Sequence, residues 1–470
     1  MRLLLVEDDE TLISELEAAL HGIAPGLQLV IARSRDSAFE CLTDDWFDVV
    51  VTDLRLPTCD FLMDSKVQHG QAVWAKSQEV SPGTPVIVLS AYLDYGVMQK
   101  VLDGAAKEDV FGSGEKIHLL YTFAKKSLPK FLRYIGTLDV DIRALDDIEI
   151  EATNAPSGGE LRVLQVFART KGGSHAKLQT VGGGLSDAST FRIEVEDARG
   201  VVTARALAKV ARISLVEDEQ LRCGRVTSVL RVGSCVSDLK VIRAGAGPLG
   251  GVFYPFAETH SETLFQVLGA DPTRSVEALA AVREIESAWQ DNASSEQTLV
   301  EQVRTNSVSE SALAKIADKL EDIGWEAFEK RRVSIKSCCQ HGDLHGGNIL
   351  VSADGSPLLI DYGDVGEATS VLDPITLELS TIFHPDAQAL RGSWPSLELA
   401  TAWDDVDAFV EGCPFPEFIK ACRAWATACR RGPREVAATA YSVAIRQLKY
   451  DAALHPIALA IARSAIRAFG

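Results

Sequence analysis

The sequence lacks three features that would place the chain in a membrane or secreted class. It has no run of about 20 apolar residues, the length that spans a bilayer. Its opening stretch, MRLLLVEDDE, turns acidic after a short apolar run, unlike a signal peptide. Its nine Cys are scattered without CxxC pairs, a pattern typical of reduced intracellular thiols. We therefore expect a cytoplasmic protein without membrane insertion.

Positive charge is also scarce, since 47 Lys and Arg stand against 66 Asp and Glu, for a net charge of −19. A uniformly acidic protein is repelled by nucleic acid and by anionic membranes, so we expect neither as a general partner. A nucleotide ligand stays compatible with this charge because it usually arrives with Mg²⁺. The chain has 470 residues, which exceeds what a single core holds, and we expect several domains.

The first 128 residues alternate short apolar runs with amphipathic stretches. The runs RLLLVE, LQLVIA, FDVVVTD and TPVIVLSA predict four strands, and EDVFGS at 108–113 predicts a weaker fifth. Most of the sequence between these runs has helical periodicity, which predicts a helix between successive strands. Strands separated by helices pair in parallel, so the pattern predicts an α/β doubly wound parallel domain of five strands over 1–128.

The rest of the chain follows a different pattern. Residues 129–160 contain the turn cluster NAPSGGE and are interpreted as a linker. From 161 the runs ELRVLQVF, AKLQTV, TFRIEVED and GVVTARALAKVA predict a small, largely antiparallel sheet. After about 260 the sequence is mostly helical. The pattern therefore predicts an α+β architecture for this part of the chain.

Acidic residues follow two of the predicted parallel strands. The first strand ends in Glu7 and Asp8, the third in Asp53 and the fourth in Ser90. Because the carboxyl ends of parallel strands share one edge, these side chains should meet in one crevice. A hard cation such as Mg²⁺ would offset the repulsion between the carboxylates. A carboxylate beside Mg²⁺ can accept a phosphoryl group.

The motifs LVED, VVVTDLRLP and VIVLSA resemble the receiver domain of response regulators over 1–128. The resemblance implies that Asp53 is the phospho-acceptor, that Glu7, Asp8 and Asp53 bind the metal, and that Ser90 is the switch hydroxyl. It also implies a phosphodonor such as a sensor histidine kinase. A homodimer is compatible with it, because phosphorylated receivers often act by dimerising.

One residue of the receiver pattern is missing where the predicted fifth strand ends. The family has a Lys after strand five, which the prediction puts near Ser113, and the nearest Lys are Lys107 and Lys116. This departure keeps open a receiver fold that retains its acids but serves as a docking or dimerisation platform.

A second polar cluster, HGDLHGGN, occupies 341–348 before an apolar run. His341 and His345 could ligate zinc from one helix face, but the glycines around them disfavour a helix. A phosphotransferase explains more of the cluster, with Asp343 as the base and Asn348 as an oxygen ligand of Mg²⁺. A second anionic ligand, Asp361, follows in LLIDYGD after a hairpin turned at Asp-Gly.

HGDLHGGN and IDYGD resemble the catalytic loop and metal turn of aminoglycoside phosphotransferases and choline kinases, which have a protein-kinase-like bilobal fold. The resemblance implies Asp343 as the catalytic base, with Asn348 and Asp361 as Mg²⁺ ligands. It divides the chain into an N-lobe at 161–258 and a C-lobe at 259–470. GGGLSDAST, HGDLHGGNILV, LIDYGDVGEA and the AIRQLKY tail resemble the ternary-complex-associated kinase-like domains of bacterial conflict and signalling systems more than antibiotic kinases.

The same resemblance implies an ATP site in the N-lobe. Lys209 would reach the phosphates and pair with Glu219, or else Glu217, of the following helix. The alternative for Lys209 is a solvated side chain at a strand edge. The other predicted nucleotide-binding residues are Gly183 and Gly184 of a glycine-containing loop, and Phe256 and Ala257 of the hinge.

Two functions follow from these resemblances. The first is a Mg²⁺- and ATP-dependent phosphotransferase-like signalling protein that is regulated by its receiver and acts on a protein or a small hydroxyl compound. The second is a catalytically weak or inactive module that binds nucleotide or docks within a bacterial signalling or defence complex. Transfer of AMP on the same fold is a third alternative.

Overall fold

The computed structural model describes residues 1–91, 107–180, 188–228, 230, 235, 239–255 and 260–470. They form two compact units. Unit 1 comprises Met1–Glu217 and Leu239–Pro255, and unit 2 comprises Asp218–Asp238 and Phe256–Gly470.

Unit 1 begins with a doubly wound domain. Its strands are β1 (Arg2–Val6), β2 (Gln28–Ala32), β3 (Val49–Thr52), β4 (Val86–Ser90), the short pair β5 (Lys107–Glu108) and β6 (Ile117–His118), and β7 (Leu120–Ala124). Its described helices are α1 (Glu10–Ile23), α2 (Arg35–Asp44), α3 (Val67–Val80) and α4 (Leu128–Asp146). Five parallel strands pair in the order β2-β1-β3-β4-β7. The predicted five-stranded parallel sheet is confirmed, with its carboxyl ends along one edge.

The fifth strand lies further along the chain than predicted. Residues 108–113 are mostly a loop, and β7 pairs with β4 from Val86↔Leu120 to Ser90↔Ala124. The prediction of strand five at 108–113 is wrong because the apolar residues there are buried for another reason. Val110 and Phe111 are fully or almost fully buried in the core that continues beyond this domain.

Residues 129–160, expected to be a linker, are largely ordered secondary structure. Helix α4 covers the first part, strand β8 (Glu149–Ala152) follows, and helix α5 (Gly158–Thr170) begins at the cap residue Ser157. The prediction of a strand for ELRVLQVF is wrong. Ser157 and Glu160 form a capping box, which starts a helix there and overrides the apolar run.

A six-stranded sheet completes unit 1. Its remaining strands are β9 (His175–Thr180), β10 (Ser189–Glu196), β11 (Val202–Arg212), β12 (Lys240–Ile242) and β13 (Leu249–Pro255). The order is β12-β13-β11-β10-β9-β8, and all pairs are antiparallel except β8 with β9. The predicted antiparallel sheet is therefore present, with one added parallel edge strand.

One apolar core runs through both sheets of unit 1. Its fully or almost fully buried members include Leu3, Leu5, Val49 and Val51 of the parallel sheet, Phe131, Ile135 and Leu138 of α4, Val163, Val166 and Phe167 of α5, and Phe191, Ile193 and Phe253 of the antiparallel sheet. The rings of Phe167 and Phe253 stack with centroids 3.9 Å apart. The two sheets therefore share one buried core, and the first domain packs against the second sheet instead of being joined to it by a flexible linker alone.

The loop at 109–115 closes this shared core. The Arg169 guanidinium of α5 donates to the Phe111 carbonyl at 3.1 Å. Gly245, just after β12, packs so closely that a Cβ there would lie 2.1 Å from the Val110 carbonyl oxygen. The apolar residues that suggested a strand thus attach the first domain to the second sheet.

Unit 2 is mostly helical. Helix α6 (Ile213–Thr227) contains the passage from unit 1. The strands are β14 (Glu262–Thr263), β15 (Ser294–Leu299), β16 (Arg332–Gln340), β17 (Ile349–Val351), β18 (Pro357–Leu359) and β19 (Gly366–Thr369). The helices are α7 (Leu264–Ala270), α8 (Pro272–Gln290), α9 (Val300–Thr305), α10 (Glu310–Leu313), α11 (Trp325–Glu329), α12 (Leu372–Phe383), α13 (Gln388–Arg391), α14 (Leu397–Thr401), α15 (Val406–Phe409), α16 (Pro416–Cys429), α17 (Pro433–Arg446) and α18 (His455–Phe469).

Two small sheets, in the orders β14-β17-β18 and β15-β16-β19, position the loops of unit 2. Among the described helices, the stretch Ala452–Phe469 is long and apolar enough to cross a membrane by length and composition alone. Ala458, Ile461, Ala465 and Phe469 of this stretch are buried within the unit.

Candidate functional site

Three carboxylates meet at the carboxyl edge of the parallel sheet. Glu7, Asp8 and Asp53 each bring an oxygen within 4.8 Å of the others. Glu7 and Asp53 are buried, whereas Asp8 is exposed and accepts a hydrogen bond from Ser65 at 3.3 Å. Three oxygen donors around one point fit a hard divalent cation, and metal binding by this predicted set stays a prediction. Ser90, the predicted switch hydroxyl, is buried at the end of β4.

The lysine that seemed to be missing is Lys125. It follows β7 directly, and its Nζ lies 2.7 Å from both Asp53 Oδ2 and Glu7 Oε2. Burial raises the pKa of Glu7 to about 6, against the lowering effect of Lys125. The sequence prediction missed this residue because it put strand five twelve residues too early, at 108 instead of 120. The sequence did contain a signal for this lysine, because the apolar run LLYTFA is followed directly by Lys125 and Lys126.

The Lys125 ammonium group and a bound Mg²⁺ can each neutralise the Glu7 and Asp53 carboxylates, and this can be tested by removing the lysine. We expect Lys125→Met to lower the stability of the metal-free protein by about 2 kcal/mol, because it leaves two buried carboxylates without a cation. Millimolar Mg²⁺ should restore most of the loss, since the carboxylates then bind the ion instead. Thermal unfolding with and without Mg²⁺ measures both effects.

The neighbouring Lys126 is exposed and provides the matched control. Lys126→Met should unfold at the wild-type temperature in either buffer. A Lys125→Met protein that is destabilised equally with and without Mg²⁺ would contradict a cation site between these carboxylates.

In unit 2, one end of a hairpin carries the second predicted site. Strands β17 and β18 pair from Ile349↔Leu359 to Val351↔Pro357, so Asn348 and Asp361 flank the same end. The Ile360 N–H donates to the Asn348 carbonyl at 3.1 Å and closes that end. The Asn348 amide donates to the Asp343 carbonyl at 2.9 Å, which uses its nitrogen and leaves its side-chain oxygen as a donor for a cation.

Asp361 has φ 63°, a left-handed backbone that non-glycine residues seldom adopt. This conformation turns the chain sharply as β18 ends. One carboxylate and one amide oxygen, both hard ligands, form a donor set suited to Mg²⁺. Residues with a strained backbone conformation are common at ligand sites.

Asp343 is half-buried and forms an ion pair that the sequence did not predict. Arg446, the last residue of α17, brings Nη2 to 3.0 Å from Asp343 Oδ1. His345 Nε2 lies 3.8 Å from the other carboxylate oxygen. Burial would raise the pKa of Asp343, but the Arg446 guanidinium and the neighbouring imidazoles outweigh it and lower the pKa to about 2. Asp343 is therefore ionised throughout the neutral range.

Hydrogen bonds to Asp373 of helix α12 fix the backbone of the loop around Asp343. The Asp373 carboxylate accepts the His341 N–H at 2.5 Å and the Gly342 N–H at 2.9 Å. His341 is fully buried, and its Nε2 lies 3.0 Å from the Ile360 carbonyl, so it joins the loop to the hairpin. These contacts place Asp343, Asn348 and Asp361 on one rigid framework.

The predicted N-lobe residues are placed only in part. Lys209 lies on β11, opposite Thr190 of β10 and Val252 of β13. Glu219 lies on α6 and is buried. Their pairing stays a prediction. Gly183, Gly184, Phe256 and Ala257 lie outside the described residues.

The second part of the chain matches a known protein family in sequence. Residues 177–391 match the model of the phosphotransferase enzyme family, APH. The match contains both polar motifs of unit 2. This part of the chain is therefore similar to the phosphotransferase enzyme family.

For the receiver domain, curated relatives cover only a short segment. The chain is 34% identical over 90 residues to the transcriptional regulatory protein GlrR of Escherichia coli K12, and equally to the transcriptional regulatory protein QseF of E. coli O157:H7. The match covers 19% of this chain and 18% of each relative, so the chain spans about a fifth of their length.

Solved receiver domains are also similar. A CheY-like receiver from Methanospirillum hungatei JF-1 is 18% identical, with a TM-score of 0.22, covering 30% of this chain and 96% of that one. The receiver domain of the sensor histidine kinase PA1611 from Pseudomonas aeruginosa PAO1, solved with magnesium in its active-site cleft, is 21% identical, with a TM-score of 0.21, covering 29% of this chain and 97% of that one.

Proposed function

We propose that the chain is a Mg²⁺- and ATP-dependent phosphotransferase whose activity depends on the state of its receiver domain. The observation that supports the proposal is the framework of Asp343, Asn348 and Asp361, which has two carboxylates and one amide oxygen near one hairpin end. Phosphoryl transfer needs these groups, because its catalysis is mostly positioning and charge neutralisation.

Each of the three residues has a distinct role in the proposal. Asp343 orients the acceptor hydroxyl and accepts its proton during transfer. Asn348 and Asp361 hold the metal, which would neutralise charge on the phosphates of the nucleotide. Lys209 holds the nucleotide phosphates from the N-lobe. A base with a pKa of about 2 accepts a proton only as the hydroxyl becomes acidic during transfer, so Asp343 acts chiefly by orientation.

For the receiver, we propose phosphorylation at Asp53 by a phosphodonor such as a sensor histidine kinase. Lys125 supports this proposal, because a cation beside the acceptor carboxylate would stabilise the added phosphoryl charge. The core shared between the receiver and the antiparallel sheet provides a physical route for the signal. A shift at the carboxyl edge of the parallel sheet cannot leave the N-lobe packing unchanged if both belong to one close-packed core. We also propose that this chain is cytoplasmic.

Metal binding by the second site is tested through Asp361. We expect Asp361→Asn to weaken Mg²⁺-dependent ADP binding at least about tenfold, because a neutral amide replaces the anionic ligand. Asn tolerates left-handed backbone well, so the turn should survive the substitution. Titration calorimetry with ADP, with and without Mg²⁺, measures the effect.

Asp354, in the turn at the opposite end of the same hairpin, is the matched control. Its side chain accepts the Ser356 N–H at 3.1 Å, a role that an Asn oxygen can also fill. Asp354→Asn should bind Mg²⁺ and ADP as the wild type does. Equal binding by Asp361→Asn and the wild type would rule out Asp361 as a metal ligand.

The alternative function is a module that binds nucleotide without turnover. The Asp343–Arg446 ion pair favours it, since a guanidinium occupies one oxygen of the proposed base. Full-length protein incubated with Mg²⁺ and labelled ATP decides between the two. ADP release or self-labelling that Asp343→Asn abolishes supports the enzyme, whereas ATP binding without any turnover supports the module.

A further inference from the structure

Glu286 contacts Asp373, the residue that holds the Asp343 loop, and has no role in the proposed transfer. Glu286 of α8 and Asp373 of α12 both have zero exposed surface. The two side chains lie within hydrogen-bond reach of each other. Among the described residues, no N–H or O–H donor reaches either oxygen of Glu286 apart from this carboxyl contact. Two ionised carboxylates cannot share such a site.

The hydrogen bonds of Asp373 decide which of the two holds the proton. Asp373 accepts two backbone N–H groups, from His341 and Gly342, and these favour its ionised form. Glu286 has no such donors and is buried completely. Burial and the Asp373 charge raise the pKa of Glu286 well above its ordinary value of 4.5. The proton therefore belongs on Glu286, which turns an acceptor-to-acceptor contact into a hydrogen bond.

The neutral titratable groups around Glu286 supply no compensating positive charge. Burial raises the pKa of the thiols of Cys338 and Cys339 on β16 to about 12 and also raises that of Cys429 on α16, so all three are neutral. Burial likewise raises the pKa of Tyr362. The charged or titratable groups that act on members of this cluster also include Arg283, Lys336, His341, Asp343 and Glu367.

We propose that Glu286 is a neutral carboxylic acid at physiological pH and a positioning residue, because its O–H holds Asp373, which holds the turn that carries Asp343. The positioning part rests on the proposed phosphotransferase function, whereas the protonation part does not. The chain of contacts runs from α8 through α12 to the His341–Gly342 backbone. The Glu286–Asp373 contact is a hydrogen bond only while one of the two carboxyl groups is protonated.

The sign of the pH effect follows from proton counting. Above pH 4.5 the unfolded chain has released the Glu286 proton, while the folded protein keeps it. Folding therefore takes up one proton, and the folding equilibrium falls about tenfold for each pH unit until the folded-state pKa is passed. Gln keeps a donor of the same shape but does not titrate. Glu286→Gln should therefore match the wild type near pH 5 and become the more stable protein as the pH rises.

Full-length Glu286→Gln and wild type are compared by chemical unfolding at several pH values and by infrared spectroscopy. We expect the ratio of their folding equilibria to change about tenfold per pH unit, and the wild type alone to show the carbonyl band of a buried protonated carboxyl. Parallel pH profiles, or a wild-type spectrum without that band, would overturn the protonation of Glu286.

Loop positioning is tested with Glu286→Leu, which fills the site but offers no donor. We expect its kcat for ATP hydrolysis to fall at least about tenfold while KM for Mg·ATP changes little, with recovery in Glu286→Gln. Unchanged kcat in a folded Leu variant would overturn the positioning role. If Glu286→Leu does not fold, unfolding of the Gln variant still decides the protonation. If the wild type hydrolyses no ATP, the proposed function fails while the protonation result stands.

Discussion

Asp343→Asn should reduce phosphoryl transfer by about 10²–10⁴-fold while Mg·ADP binding stays within about threefold of the wild type. The amide keeps the size of the carboxylate but has no negative charge to orient the acceptor hydroxyl and cannot accept its proton. The loop should keep its shape, because its backbone is held by Asp373 and the hairpin, not by the Asp343 side chain. ADP release from labelled ATP, with calorimetric binding beside it, measures both quantities.

The ion pair with Arg446 must be separated from this effect. Replacing Asp343 alone leaves a buried guanidinium without its carboxylate, which is destabilising in its own right. A cycle with Arg446→Gln and the double variant isolates the coupling between the two residues. We expect Arg446→Gln to retain far more turnover than Asp343→Asn. Full turnover in a folded Asp343→Asn protein would remove Asp343 from the chemistry.

The second large effect concerns the contact between the receiver and the N-lobe sheet. Gly245→Ala should lower the stability of unit 1 by about 3 kcal/mol, or roughly 10 °C in the unfolding midpoint. Gly245 has φ 90°, and a Cβ there would lie 2.1 Å from the Val110 carbonyl. The methyl group therefore forces the receiver loop and the N-lobe apart, in addition to straining its own backbone.

Gly200 separates these two costs. It has φ 76° in the turn between β10 and β11, and a Cβ there meets nothing within 4 Å. Gly200→Ala should lose about 1 kcal/mol through backbone strain alone. Differential scanning calorimetry on both variants gives the comparison. Equal losses would mean that the receiver and the N-lobe sheet are not packed together in solution.

The sequence predicted the parallel sheet well because each buried strand is a short unbroken apolar run between helices. It failed at 108–113 and at ELRVLQVF for one reason. Both segments are apolar because they lie in a core built from two sheets, and periodicity alone does not tell a buried loop or helix from a buried strand. The error in the fifth strand then concealed Lys125, whose role depends entirely on which strand precedes it.

In unit 2 the residue spacing predicted that Asp343, Asn348 and Asp361 lie near one hairpin end, as they do, whereas their roles stay predictions. Arg446 could not be predicted, because more than a hundred residues separate it from Asp343 along the chain. Glu286 is also remote in sequence from Asp373, and an acidic residue on an amphipathic helix is ordinarily expected to face solvent. Long-range pairs of this kind depend on tertiary packing, which local patterns do not encode.

The buried loop around Val110 and Phe111 has a consequence for how such a chain can be recombined. A receiver on a flexible tether can be exchanged for another without harm to its neighbour. Here a transplanted receiver would have to bring the same loop, since its apolar side chains and the Phe111 carbonyl complete the packing of the next sheet. Chimaeras joined at residue 128 should therefore fail to fold unless the incoming domain keeps 109–115.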